Sequence, residues 1–205
     1  MPVKNVVKFN LPNTYYHVYT RGVAKTDIFK DEKDYHYFLK LFNRYLSYDA
    51  QFSKQNTLYP HLRGSVEMLA YCLMKNHVHL LLYQHDATAM TTLLRGVLTS
   101  YSMYFNHKYK RTGPLFESRY KAAPITTDTY LQHISRYIHL NPRYFTNYQY
   151  SSYQQYLKEP SEAWLQPERI LTLFDNDPKK YAAFCHDYID RREVLRAAKN
   201  ALAGR

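Results

Sequence analysis

Asn76-His77-Val78-His79-Leu80-Leu81-Leu82-Tyr83 decides how the chain is read. Side chains two apart on a strand project from the same face, so His77 and His79 point together while Val78, Leu80 and Leu82 point the other way. That division describes a strand with apolar core behind it and a polar site in front. Two convergent imidazoles also make a natural pincer for a divalent metal. The chain holds 10 histidines, so a lone His-x-His carries weight only if other segments supply partners for it.

Working outward, Ser65 to Leu73 is a second strand-like run, separated from the first by Met74, Lys75 and Asn76. The two can pair as a hairpin or lie as neighbours with a tight connection. Tyr15 to Arg21 (YYHVYTR), closed by Gly22, is rich in aromatic and β-branched residues and predicts an earlier strand. Asp31 to Tyr48 spaces Tyr35, Phe38, Leu39, Phe42, Tyr45 and Leu46 by threes and fours, the pattern of an amphipathic helix. The polar stretch from Asp49 to Gly64, with Pro60, predicts a loop. Met90 to Tyr109 predicts a second helix whose stripe runs through Leu93, Leu94, Val97, Leu98, Tyr101, Tyr104 and Phe105, and Arg111-Thr112-Gly113-Pro114 ends it. Leu115 to Ala122 predicts a fourth strand, and Asp128 a helix N-cap, with that helix running to Asn141 before Pro142.

The order is βαββαβ with one more helix. It predicts an α+β, ferredoxin-like antiparallel sheet with helices on one face, leaving the other face available for a ligand. The added helix and a C-terminal helical tail complete the plan. Residues 1–157 form the main domain and residues 158–205 a helical, basic extension, with helices expected at Pro167 to Phe174 and Pro178 to about Leu202. Arg191, Arg192, Arg196, Lys199 and Arg205 make the last of these basic.

At 205 residues the chain supports one sizeable core. No apolar run reaches the length of a membrane span and no secretory leader is legible at the N-terminus, so the expected location is the cytoplasm. Cys72 and Cys185 stand in separate segments and suggest neither a disulfide framework nor a thiolate zinc site. With 28 Lys and Arg against 17 Asp and Glu the net charge is +11, a field that attracts polyanions. The 23 tyrosines, interleaved with basic residues, suit stacking on unpaired bases while most of them pack the core.

The helix after Asp128 brings the missing partners. Its stripe of Leu131, Ile134 and Ile138 faces the sheet, and Tyr137 and Asn141 fall together along one border, four residues apart. Asn141 precedes Pro142, so its amide sits at a helix end and is free to reach outward as a third, neutral ligand. Read from periodicity alone, Tyr137 is one more packing aromatic among 23 tyrosines and Asn141 a helix cap.

Together these segments resemble the REP-associated tyrosine transposases, relatives of the single-tyrosine insertion-sequence (IS200-like) transposases of the HUH nuclease superfamily. The likeness runs through His17-Val18-Tyr19-Thr20-Arg21-Gly22, Tyr71 to Leu81, Gly113-Pro114-Leu115-Phe116 and Ser118-Arg119-Tyr120-Lys121. It continues through Arg136-Tyr137-Ile138-His139-Leu140-Asn141-Pro142 and Ser151-Ser152-Tyr153, and so spans roughly Tyr15 to Leu157. Lys75 stands where proline is usual, Tyr144-Phe145 where small residues are, and Tyr150 where tryptophan often precedes Ser-Ser. These departures miss the catalytic positions and bear on DNA preference.

The resemblance implies that His77, His79 and Asn141 hold magnesium or manganese, and that Tyr137 is the nucleophile that forms a 5′-phosphotyrosine link. It implies a single-stranded DNA substrate, with an adjacent hairpin, cut and rejoined, and work at the nucleoid. It also admits a homodimer, since relatives include obligate dimers. A free phenol has a pKa of about 10, so Tyr137 needs help to lose its proton, from the metal or from His133 one turn earlier. Tyr19, Arg21, Arg119, Lys121 and Arg143 are the candidate DNA contacts, the basic groups on phosphates. A non-catalytic single-stranded nucleic-acid module of the same fold is the main rival, and it has no need of His77, His79 and Asn141 together. A histidine phosphoesterase would need a second H-x-S/T beside His133-Ile134-Ser135, and a zinc hydrolase an H-E-x-x-H; the chain has neither.

Overall fold

The computed structural model describes residues 10–158 and 162–188. Strands β1 (Thr14–Arg21), β2 (Val66–Met74), β3 (His77–Gln84) and β4 (Lys121–Ile125) form one sheet in the order β2-β3-β1-β4, with every pairing antiparallel. Helix α1 (Glu32–Leu46) joins β1 to β2 and α2 (Ala89–Lys108) joins β3 to β4. This is the expected ferredoxin-like βαββαβ sheet. Asp31 starts α1 by a capping box: its carboxylate accepts from the Asp34 amide at 3.1 Å, and Asp34 accepts in return from the Asp31 amide.

Both helices lie on the face to which Tyr16 and Val18 of β1 and Val78, Leu80 and Leu82 of β3 point. Phe38, Leu41 and Phe42 from α1 and Leu93, Val97 and Tyr101 from α2 meet them there, all buried. The alternation read from His77 onward therefore places the core behind the histidines, as expected.

The opposite face is narrower than the sequence suggested. Helix α3 (Asp128–His139) lays Leu131, Ile134 and Ile138 over Leu69, Ala70 and Cys72 of β2 and Leu81 of β3, forming a second core on the histidines' own face. Short helices α4 (Tyr153–Leu157) and α5 (Glu168–Leu171), and a helical stretch at residues 178–188, close over it with Tyr153, Tyr156, Ile170, Tyr181 and Cys185. Trp164 and Leu165 instead join the first core, with Trp164 against Phe42 and Tyr71. Residues 162–188 thus pack on both sides of the sheet. The basic side chains from Arg191 to Arg205 lie outside the described residues.

Three boundaries differ from expectation. The fourth strand starts at Lys121, so Leu115 to Tyr120 is loop, joined to the end of β1 by a bridge between Gly22 and Phe116. Pro124 lies inside β4 opposite Tyr16; the strand is at the sheet edge, where a missing amide hydrogen is tolerated. Helix α3 is capped by Thr127, whose side chain accepts from the Tyr130 amide, and ends at His139, leaving Asn141 just beyond it. Among the described residues no helix is long and apolar enough to cross a membrane.

Candidate functional site

The β2–β3 connection is a two-residue hairpin turn, Lys75-Asn76, with Met74 opposite His77. The loop after β1 pins this turn. Ile28 and Phe29 amides donate to the Lys75 carbonyl at 2.9 and 3.0 Å, the Gly22 amide donates to the Asn76 carbonyl at 2.9 Å, and the Lys75 ammonium pairs with Asp27 at 3.0 Å. A side chain on residue 22 would collide with the Thr26 carbonyl oxygen and approach Ile28 Cγ2 to 2.9 Å, which is why glycine ends β1. His77 is thereby held at a fixed place beside Arg21, its register partner.

His77 and His79 lie with ring centroids 5.1 Å apart and nearly perpendicular planes. The Asn76 side-chain oxygen, which can only accept, sits 2.6 Å from His77 Nδ1, so in the neutral ring Nδ1 carries the hydrogen and Nε2 the lone pair. Burial, then the charge of Arg21, pushes the His77 pKa down, while a hydrogen bond with the Asn141 side chain works against them. Burial, then His17, His77 and Arg21, pushes His79 well below the ordinary histidine value. Both rings are therefore neutral at pH 7, the state a metal ligand requires.

His17 is the residue that the sequence reading passed over. It is 1% exposed, with its Nε2 3.0 Å from His79 Nδ1, the ring centroids 5.2 Å apart and the planes 18° from parallel. Burial lowers its pKa to about 4. Strand alternation puts it on one face with Tyr15, Tyr19 and Arg21; what alternation cannot show is the β1–β3 register, which puts Tyr19 opposite His79 and His17 opposite Leu81.

Tyr137 projects from the last full turn of α3, 48% exposed, its ring edge-on to His79 at 5.4 Å and to His17 at 5.8 Å. The Asn141 amide nitrogen donates to the Tyr137 carbonyl at 3.0 Å, capping the helix, while the same side chain meets the His77 ring. The four residues expected to work together, His77, His79, Tyr137 and Asn141, are thus brought together. One further contact explains why α3 sits at this height. His139, fully buried, joins Tyr181 Oη through Nδ1 (2.7 Å) and Ser152 Oγ through Nε2 (2.8 Å), and Ser152 Oγ accepts from the Tyr71 amide at 2.9 Å. Helix α3 is bolted by this chain to β2, the partner strand of the histidines. Burial holds the His139 pKa down to about 3, so its ring stays neutral within the network.

His133 lies on the groove beside Tyr137, along with Arg136, Leu140, Asn141 and Tyr188. Its Nδ1 takes a hydrogen bond from the Arg136 guanidinium at 2.8 Å. Because arginine can only donate, the neutral His133 ring keeps its hydrogen on Nε2 and has no lone pair to spare. His133 is therefore set aside as the proton acceptor. Arg136, 7% exposed, is stacked on Phe184 and Tyr188 at 4.0 and 4.5 Å.

The expected DNA contacts divide into two groups. Tyr19 pairs with both His79 and Lys121 across the sheet, and the Lys121 ammonium lies 5.3 Å above the Tyr19 ring, so Arg21, Tyr19 and Lys121 border the histidines. Lys121 also has Glu117 at 3.8 Å. Arg119 sits in the loop before β4 rather than on a shared strand face with Lys121, and Arg143 follows Pro142; both are exposed.

The donor set suits a divalent cation. Nδ1 of each histidine is already occupied, by Asn76 for His77 and by His17 for His79, which leaves the two Nε2 atoms. The Asn141 nitrogen is engaged with the helix end, which leaves its carbonyl oxygen. Among the described residues no three His, Cys, Asp or Glu side chains form a metal cluster; the candidate set is two imidazoles and an amide.

Residues 10–141 match the family model described as "Transposase IS200 like". Among solved structures, the fold is similar to that of a REP-associated tyrosine transposase bound to a REP hairpin, with a TM-score of 0.53 and 11% identity over 75% of this chain and 84% of that one. No curated protein matches the sequence.

Proposed function

The chain belongs to the IS200-like transposase family, a family of DNA-processing proteins, and from that premise we propose that it cuts and rejoins single-stranded DNA through a covalent link to Tyr137. The observation that carries the reading is the placement of Tyr137 edge-on to His79 while Asn141, one turn later, meets His77. A nucleophile and a neutral three-ligand set then lie side by side, with Tyr137 half-exposed above the more buried histidines.

In the proposed reaction Tyr137 Oη attacks the scissile phosphorus, the bond from phosphorus to the 3′ oxygen breaks, and a 5′-phosphotyrosine and a free 3′-OH result. The phenol proton passes to solvent at the half-exposed ring. The phosphodiester's energy is kept in the covalent link, so attack by a second 3′-OH restores a strand and releases the tyrosine without ATP. Magnesium or manganese held by His77, His79 and Asn141 would polarise the phosphate and draw charge off the departing 3′ oxygen. Imidazole ligands favour manganese of the two. Arg21 and Lys121 border the attacked phosphate, Tyr19 offers a ring for a base, and Arg119 and Arg143 follow the backbone further out.

The solved relative carries a REP hairpin, and a single strand with an adjacent hairpin is the substrate we assign here. Residues 1–157 carry this chemistry, with 158–205 as an extension, and the protein works at the nucleoid. The test is a gel assay with a library of hairpin-bearing oligonucleotides and Mg or Mn, scoring a detergent-stable adduct. Adducts are expected with the parent protein and not with His77→Ala, His79→Ala; an adduct indifferent to metal and to both histidines would contradict the site.

A further inference from the structure

We propose that His17 is a positioning residue for the metal site: its Nε2 accepts the Nδ1–H of His79 and so holds His79 in the tautomer whose Nε2 keeps its lone pair free for a metal. This rests on the reading of His77, His79 and Asn141 as ligands.

Through hydrogen bonds His17 has one route of action among the described residues. Its ring is 1% exposed, with Nε2 spent on His79 Nδ1 at 3.0 Å. Its other nitrogen, Nδ1, is buried without a hydrogen-bond partner among the described residues. His17 therefore acts through His79. Two neutral arrangements fit the pair. If His17 Nε2 carries the hydrogen, His79 must place its own on Nε2, the atom that would meet the metal, and binding is blocked. If His79 Nδ1 carries it, His79 Nε2 is bare and the His17 hydrogen sits on the partnerless Nδ1. Ligand histidines ordinarily donate their second N–H to a carboxylate, a carbonyl or water, and this contact sets tautomer and orientation. Here a neutral imidazole takes that place, and the two rings, only 18° from parallel, meet end to end across this bond, which fixes the His79 plane as well.

The test uses the full chain and three variants. Mn binding is measured by titration calorimetry for the parent, His17→Gln, His17→Phe and His79→Ala. His17→Phe keeps a flat ring but cannot accept, and its affinity is expected to fall about 10- to 100-fold, the usual loss for such a supporting contact. His17→Gln, whose amide oxygen accepts, is expected to recover most of it. Parent-like binding by His17→Phe, or a Gln variant no better than Phe, overturns the proposal. Histidine nitrogen NMR of the Mg-loaded parent, which depends on no variant folding, is expected to show His79 protonated at Nδ1 and His17 Nε2 bare; a proton on His17 Nε2 overturns it. Parent-like Mn binding by His79→Ala would instead defeat the metal-site reading, while nitrogen coupling between the two rings without added metal reports the His17–His79 contact separately.

Discussion

Replacing Ser152 by alanine removes a single oxygen and tests whether helix α3 is held by the His139 chain. Ser152 is fully buried. Its Oγ accepts from the Tyr71 amide at 2.9 Å and lies 2.8 Å from His139 Nε2. The backbone link from the Ser152 amide to the Tyr71 carbonyl, at 3.0 Å, survives the change. Alanine therefore strands two buried groups, the Tyr71 N–H and His139 Nε2, while opening almost no cavity. Each stranded group costs about 1–3 kcal/mol, so the loss is roughly 2–6 kcal/mol if both stay dry, against a total stability of about 5–15 kcal/mol. Urea unfolding at pH 7.5 measures it, with Trp164, the chain's single tryptophan and 1% exposed, as the fluorescent probe. In a His139→Leu background the same substitution loses one of its two costs and should fall to about half. A loss under about 0.5 kcal/mol in the parent background, well below the cost of even one stranded group, would refute the bolt.

Gly22→Ala forces a methyl into the Thr26 carbonyl and the Ile28 side chain, and overpacking of this kind costs about 1–3 kcal/mol; calorimetric melting at parental temperature would show that the turn has room. Changing Arg119, Lys121 or Arg143 singly to Gln should weaken oligonucleotide binding across sequences and reduce the salt slope by about one each. An unchanged slope removes that side chain from the phosphate contacts. Glu67 is pushed up by burial, but its bonds to Arg169 and His85 outweigh this and leave its pKa below the ordinary value of 4.5. A lowered carboxylate stabilises above its unfolded pKa and loses that contribution as pH falls through the folded one. Glu67→Gln should therefore be less stable than the parent at pH 7, with a gap that closes under acid; urea midpoints separated equally at pH 7 and pH 3 would contradict the pairing.

Periodicity made the first core legible, because Val78, Leu80 and Leu82 alternate with His77 and His79 and the stripes of α1 and α2 are long. The second core was less legible. Leu69, Ala70 and Cys72 belong to a nearly continuous apolar strand with an irregular register between Met68 and Ala70, so its period does not say that two faces are covered. The fourth strand was misplaced because Pro124 reads as a strand breaker, and only its edge position excuses it. Within the site, His77, His79, Tyr137 and Asn141 were each legible from local spacing together with the family likeness. His17 and His139 were not, since their roles depend on contacts across 62 and 13 positions of chain. His133 looked suitable by its four-residue helical spacing from Tyr137; the three-residue spacing of the same helix places Arg136 on its acceptor nitrogen.

The central claim is that Tyr137 becomes covalently bound to DNA, and the most direct measurement is peptide mapping of the adduct. Protein incubated with Mn and a cleavable hairpin-bearing oligonucleotide is digested, and the peptide that carries the nucleotide is identified by mass spectrometry. The predicted result is a 5′-phosphate on Tyr137, with no adduct from Tyr137→Phe. A nucleotide on any other residue, or an adduct that persists in Tyr137→Phe, would contradict the account.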